Sequence, residues 1–230
     1  MQRRYGSYIF LIVLVIHLTG SYAGNNMIES ITKPLLMIAL FWYFIWSTKK
    51  VSSGLKKWIL LALFFSWAGD MLLMFVVNNS VFFLAGLSSF LIAHIFYILF
   101  FHSVRVRESV TGKTFLLFPV LIYYAVLMTL LSPGLGNMKL PVRIYGVFIC
   151  FMLMLAMHMP YIKDKKAGLL MITGALLFVV SDSVLAINKF YNEFNGAGIV
   201  IMLTDGIAQL LIVEGAANYI VRQDKIKIQA

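Results

Sequence analysis

The chain has 230 residues, of which 61% are hydrophobic and only 12% charged. A soluble domain carries about 25% charged residues, so a water-soluble globule is excluded. The net charge of +10 is no nucleic-acid signature, because the basic residues sit in short loops between long apolar runs. Cys150 is the single cysteine, which excludes an intramolecular disulfide and a Cys-rich metal site. In its apolar stretch it reads as a small core residue.

A hydrocarbon layer about 30 Å thick takes roughly 20 apolar residues per helix. Eight such stretches are present, at 6–23, 32–47, 58–77, 81–101, 115–131, 143–160, 168–188 and 198–220. With their loops they use up the chain. The expected fold is all-α: one polytopic transmembrane bundle over 1–230, with no soluble domain.

Span 1 runs from Arg3-Arg4 to Ser21-Tyr22-Ala23, a pattern that a signal peptide with an A-x-A-like cleavage site also shows. The later spans keep their orientation under either reading. After Gly24-Asn25-Asn26, span 2 opens at Lys33-Pro34, with the proline expected in the first turn, where helices tolerate it. Span 3 follows Lys49-Lys50 and Ser52-Ser53-Gly54 and carries Ser66 and Asp70, four apart on one face. A turn at Asn78-Asn79-Ser80 leads into span 4, where Gly86, Phe90, His94 and Tyr97 share a stripe. The polar run Arg105 to Gly112 precedes span 5, and Ser132-Pro133-Gly134 separates it from span 6. Lys163-Asp164-Lys165-Lys166 precedes span 7, whose Gly174, Phe178, Ser181, Asp182, Leu185 and Lys189 align. Beyond Asn192 to Gly196, span 8 aligns Asp205 with Gln209, while Glu214 points to its other side as a separate structural contact.

Loop charges set the orientation. With the N-terminus in the cytoplasm, fifteen Lys and Arg fall on the inner side, and only Lys33, Lys139, Arg143 and Lys189 on the outer. Both termini are therefore expected inside, in the cell membrane.

Ionisable groups in hydrocarbon cost at least ~2.5–3.5 kcal/mol each and persist mainly where they face the bundle interior. Asp70, Asp182 and Asp205 each lie six or seven residues from the outer end of their span, roughly 10 Å deep at 1.5 Å per residue. Three acids at one depth imply a polar pocket opening outward or toward the outer leaflet. Each acid alone also has a structural reading, as a hydrogen-bonded strut between helices. His94 likewise reads as a satisfied core histidine, and His17 and His158 as interfacial. Spans 3 and 7 both place Ser near Asp with Leu three residues after it. They lie four spans apart in one direction, which fits a four-plus-four parallel repeat.

Several of these segments resemble the YhhN-like family of membrane proteins. They are Lys33-Pro34, Ser66-x-x-Gly69-Asp70-x-x-Leu73, Gly86-x-x-x-Phe90-x-x-x-His94-x-x-Tyr97, the run from Gly174-Ala175 through Ser181-Asp182 to Asn188-x-Phe190, and Ala208-Gln209-x-Leu211-Ile212. The resemblance spans about Thr32 to Val213, and its span 7 piece is the most specific. The family's animal members are lysoplasmalogenases. The resemblance therefore implies hydrolysis of the vinyl ether bond of lysoplasmalogens, to a fatty aldehyde and a glycerophospho-alcohol.

A vinyl ether is cleaved by protonating its alkene carbon to give an oxocarbenium ion, which water attacks. The site needs a proton donor, a base for water and negative charge near the cation, and two carboxyls supply all three. Asp70 and Asp182 are the expected catalytic pair, their individual roles left open. Lys33 and Lys189 are expected to meet the lipid phosphate, and Ser66, His94, Tyr97, Ser181, Asn188, Asp205 and Gln209 to complete the substrate site. No cofactor is required, the ligand spacing is not diagnostic of a metal, and the partner is a lysophospholipid within the bilayer. A proton-coupled carrier is the rival reading, since buried acids, glycines and a repeat suit it too. Against it, no proline interrupts the middle of spans 3, 4, 7 or 8.

Overall fold

In a computed structural model the chain is all helical among the described residues, 3–76 and 81–229, with side chains described for 6–76 and 81–226. The turn expected at Asn78-Asn79-Ser80 lies outside them. Eight helices follow in order: α1 (Arg3–Tyr22), α2 (Asn26–Thr48), α3 (Lys56–Met74), α4 (Val81–Arg107), α5 (Leu117–Leu131), α6 (Lys139–Ala156), α7 (Lys165–Phe190) and α8 (Ala197–Gln229). Seven are long and apolar enough to cross a membrane, and the shorter apolar stretch is Gly6–Tyr22 of α1. The protein is a multi-pass membrane protein.

The largest departure from expectation is at α2. It starts at Asn26, because the Asn25 side chain accepts hydrogen bonds from the Met27 and Ile28 amides, at 3.1 and 3.2 Å. Pro34 therefore sits inside the helix rather than in its first turn. Its missing N–H leaves the Ser30 carbonyl without an intrahelical donor, close to Lys33. Helices α4 and α8 outrun their expected spans, to Arg107 and Gln229. Their extensions meet at Glu108, which accepts from Tyr219 Oη at 3.2 Å, Gln223 Nε2 at 2.5 Å and the Lys163 amide at 3.0 Å. Hydropathy alone cannot see this polar clasp.

Helices α1 and α2, α3 and α4, and α7 and α8 pack as hairpins, and α4 against α6 and α2 against α8 join them. Helix α1 belongs to the packing. Phe10 and Leu14 are buried, and His17 Nδ1 lies 2.7 Å from Thr32 Oγ1 on α2. Glycines set the closest approaches. A Cβ on Gly174 of α7 would lie 2.7 Å from the Ala208 carbonyl oxygen of α8. One on Gly69 of α3 would lie 2.7 Å from the Phe90 ring of α4. Small residues let helices touch where no hydrophobic force drives them together. Here they draw α3 to α4 and α7 to α8, the two hairpins that carry Asp70, His94, Asp182 and Asp205. Glu214 lies apart, accepting from the Tyr43 hydroxyl and from Asn218 Nδ2 at 3.2 Å.

Candidate active site

Where α2, α4 and α8 begin and α3 and α7 end, the helices enclose a cavity of about 260 Å³. Asp70, Asp182 and Asp205 all line it, with Lys33, Ser181, Asn188 and Lys189. The three acids come from three different helices, α3, α7 and α8. Phe83, Phe90, Leu73 and Met202 make the apolar part of the wall.

Each acid has a distinct neighbourhood. Lys33 Nζ lies 3.7 Å from Asp70 Oδ1, an ion pair across α2 and α3 with side chains 17% and 5% exposed. Asp182 Oδ2 accepts from Tyr145 Oη of α6 at 2.5 Å and lies 3.6 Å from His94 Nε2. Oδ2 of Asp70, Oδ2 of Asp205 and Nε2 of His94 are buried with no hydrogen-bond partner among the described residues. Buried polar atoms without partners are rare and costly, and two of these three belong to the cavity wall.

His94 is fully buried on α4 and does not line the cavity. Its Nδ1 lies 2.7 Å from the Phe90 carbonyl, and its ring meets Tyr145 and Phe178 edge-on at 5.3 and 4.9 Å. A carbonyl only accepts, so Nδ1 carries a hydrogen and Nε2 faces Asp182. Ser66, Tyr97 and Gln209 also lie behind the wall. Gln209 Nε2 donates to Ser66 Oγ at 3.0 Å, and the Tyr97 hydroxyl donates to Gln209 Oε1, binding α3, α4 and α8 in a buried chain.

Of the other expected residues, Ser181 spends its hydroxyl on the Ile201 carbonyl, at 2.9 Å, which staples α7 to α8. Asn188 accepts from the Phe194 amide at 3.0 Å, and Lys189 reaches over the Phe83 ring at 5.4 Å. Both remain on the cavity wall. Tyr145 is the residue sequence reasoning missed. A lone tyrosine among apolar residues in α6 gives no periodic signal, and only the packing of α6 on α4 and α7 aims it at Asp182. Among the described residues no group of three or more His, Cys, Asp or Glu is placed to hold a metal ion.

The family resemblance is matched by direct comparison. The model of the YhhN family matches residues 28–216. Lysoplasmalogenase TMEM86B of Rattus norvegicus is 32% identical over 185 residues, covering 80% of this chain and 70% of the relative. Its counterpart in Mus musculus is 31% identical over 185 residues, covering 80% and 72%. No solved structure matches the chain. The matched stretch takes in all eleven residues expected at the site, and the chain belongs to the YhhN family.

Proposed function

We propose that this protein is a membrane hydrolase that cleaves the vinyl ether bond of lysoplasmalogens, releasing a fatty aldehyde and a glycerophospho-alcohol. It works in the cytoplasmic membrane, with both termini on the cytoplasmic side. The observation that carries the reading is that Asp70, Asp182 and Asp205, from three helices, line one cavity with Lys33 and Lys189. The named activity of the TMEM86B relatives supports it.

The geometry divides the labour. With Nδ1–H committed to the Phe90 carbonyl, His94 turns Nε2 toward the Asp182 carboxyl. A bare Nε2 lone pair beside the Asp182 carboxyl disfavours the carboxylate and favours the protonated acid. Asp182 is thus the donor to the alkene carbon. Asp70, paired with the Lys33 ammonium, is the carboxylate that takes a proton from attacking water. Asp205 adds negative charge beside the oxocarbenium ion.

The protons balance. Asp182 protonates the alkene carbon, and water adds to the oxygen-bearing carbon as Asp70 takes its proton. The hemiacetal hydroxyl returns a proton to Asp182 as the C–O bond breaks, and Asp70 returns its proton to the leaving alcohol oxygen.

The test is aldehyde release by purified protein from a vinyl-ether lysolipid, with the saturated ether as control. Asp70→Asn and Asp182→Asn are expected to abolish release while the protein stays folded in detergent. Wild-type-like turnover in either variant would remove the pair, and no release by the native protein, with solute uptake in proteoliposomes, would favour the carrier.

A further inference from the structure

A second, apolar cavity lies beside the polar one, between α4, α5, α6 and α7. Leu87, Leu127, Met128, Val142, Ile149 and Ala186 line it, and it shares Phe83, Asp182 and Leu185 with the polar cavity. The two spaces therefore meet at Asp182. The hydroxyls on the apolar side are already engaged, Tyr145 with Asp182 and Tyr123 with Ser183 Oγ at 2.7 Å. With about 40 Å³ of open space against about 260 Å³ in the polar cavity, it is much the smaller slot, apolar but for Asp182 and the two tyrosines.

We infer that this slot is the subsite for the chain carbons next to the ether in a single-chain phospholipid, and that Asp182 marks the junction of chain and head. The inference rests on the hydrolase reading and adds a place for each part of the substrate. Lys33 and Lys189 on the polar side complement a phosphate, and the slot complements hydrocarbon. In a vinyl-ether lysolipid lying across the junction, the alkene carbon that takes the proton is on the chain side of the ether oxygen. It therefore meets Asp182, while the polar side is left to water and Asp70. The other apolar groove, outside α5 and α6 around Leu121, Val147 and Phe151, shares no residue with the polar cavity and serves as the internal control.

The probe is a saturated 1-O-alkyl lysophosphatidylethanolamine with a photoreactive diazirine within its first few chain carbons, added to the protein in lipid nanodiscs. Cross-links are mapped by peptide sequencing. Labelling is expected at Leu127, Met128 and Ile149, suppressed by excess unlabelled analogue. Ala186→Phe should reduce it about tenfold, the loss expected when roughly two methylenes no longer find a buried place. Labelling confined to the outer α5–α6 groove, or insensitive to competitor, overturns the subsite even if Ala186→Phe fails to fold. Aldehyde release from the vinyl-ether lysolipid is read separately. Release with labelling elsewhere overturns the subsite and leaves the hydrolase. Slot labelling without release upholds the subsite and overturns the hydrolase.

Discussion

His94 Nε2 stands 3.6 Å from Asp182 Oδ2, while its Nδ1 is held 2.7 Å from the Phe90 carbonyl one turn back on α4. The backbone thereby fixes which nitrogen faces the acid, and the fully buried ring has no freedom to turn away. A histidine so placed does not line the polar cavity, and in the proposed mechanism it acts through Asp182.

His94→Gln should therefore lower kcat by about 10²-fold or more, the usual scale for loss of a positioned proton-transfer group. KM should stay within a few-fold, because His94 does not line the cavity. Steady-state kinetics across a pH series checks this. A merely structural histidine would lower the folded fraction and leave the kcat of the folded protein and its pH profile unchanged.

Tyr145→Phe removes the 2.5 Å hydrogen bond to Asp182 and keeps the ring that packs edge-on against His94. Asp182 becomes a carboxylate as it gives up its proton, and hydrogen bonds to charged groups contribute ~1.5–3 kcal/mol. The expected loss is about ten- to a hundredfold in kcat, with little change in melting temperature, measured on the same detergent-purified sample.

Lys33→Met leaves Asp70 buried without its cation. Breaking one side of a buried ion pair costs ~3–5 kcal/mol, and because Lys33 is partly exposed the lower end is expected here. Adding Asp70→Asn should restore much of the melting temperature and none of the turnover. Equal melting temperatures for the single and double variants would show that the pair is not energetically linked.

Gly174→Leu should be far worse than Gly174→Ala. Even an added Cβ lies 2.7 Å from the Ala208 oxygen and 2.9 Å from the Ile212 nitrogen, and neither backbone atom can rotate aside. Overpacking of ~1–3 kcal/mol is expected for alanine, with more for leucine. The separation of α7 from α8 should also move Asp182 away from Asp205 and lower activity per folded molecule. Size-exclusion melting profiles and aldehyde release together read both effects.

Glu214→Gln is the contrasting case. Glu214 binds Tyr43 and Asn218 away from the cavity, so the variant should alter the melting temperature and leave aldehyde release per folded molecule near wild type.

Much was legible in the chain itself. An apolar run of membrane length must satisfy its backbone internally as a helix, so seven of the eight helices follow from hydropathy, and α1 is a shorter apolar helix than the spanning one expected. An acid in such a run must face inward, so helical spacing picked out Asp70, Asp182 and Asp205 before any packing was known. What hydropathy could not place were features decided by capping and polar contacts: the start of α2 at Asn25, which moves Pro34 into the helix, and the clasp at Glu108.

The tertiary structure alone decided how these residues divide. Spacing along one helix cannot say whether a polar group ends in a cavity or behind its wall, because that depends on the rotation and approach of neighbouring helices. Close contacts at Gly69 and Gly174 set that approach. The packing of all five helices places Lys33, Asp70, Asp182 and Asp205 on one surface and buries Ser66, His94, Tyr97 and Gln209 behind it. The packing of α6 on α4 and α7 also brings in Tyr145 from a helix with no polar pattern of its own. Composition determined that acids would be hidden in the membrane; helix packing determined which of them stands beside a histidine and which faces a lysine.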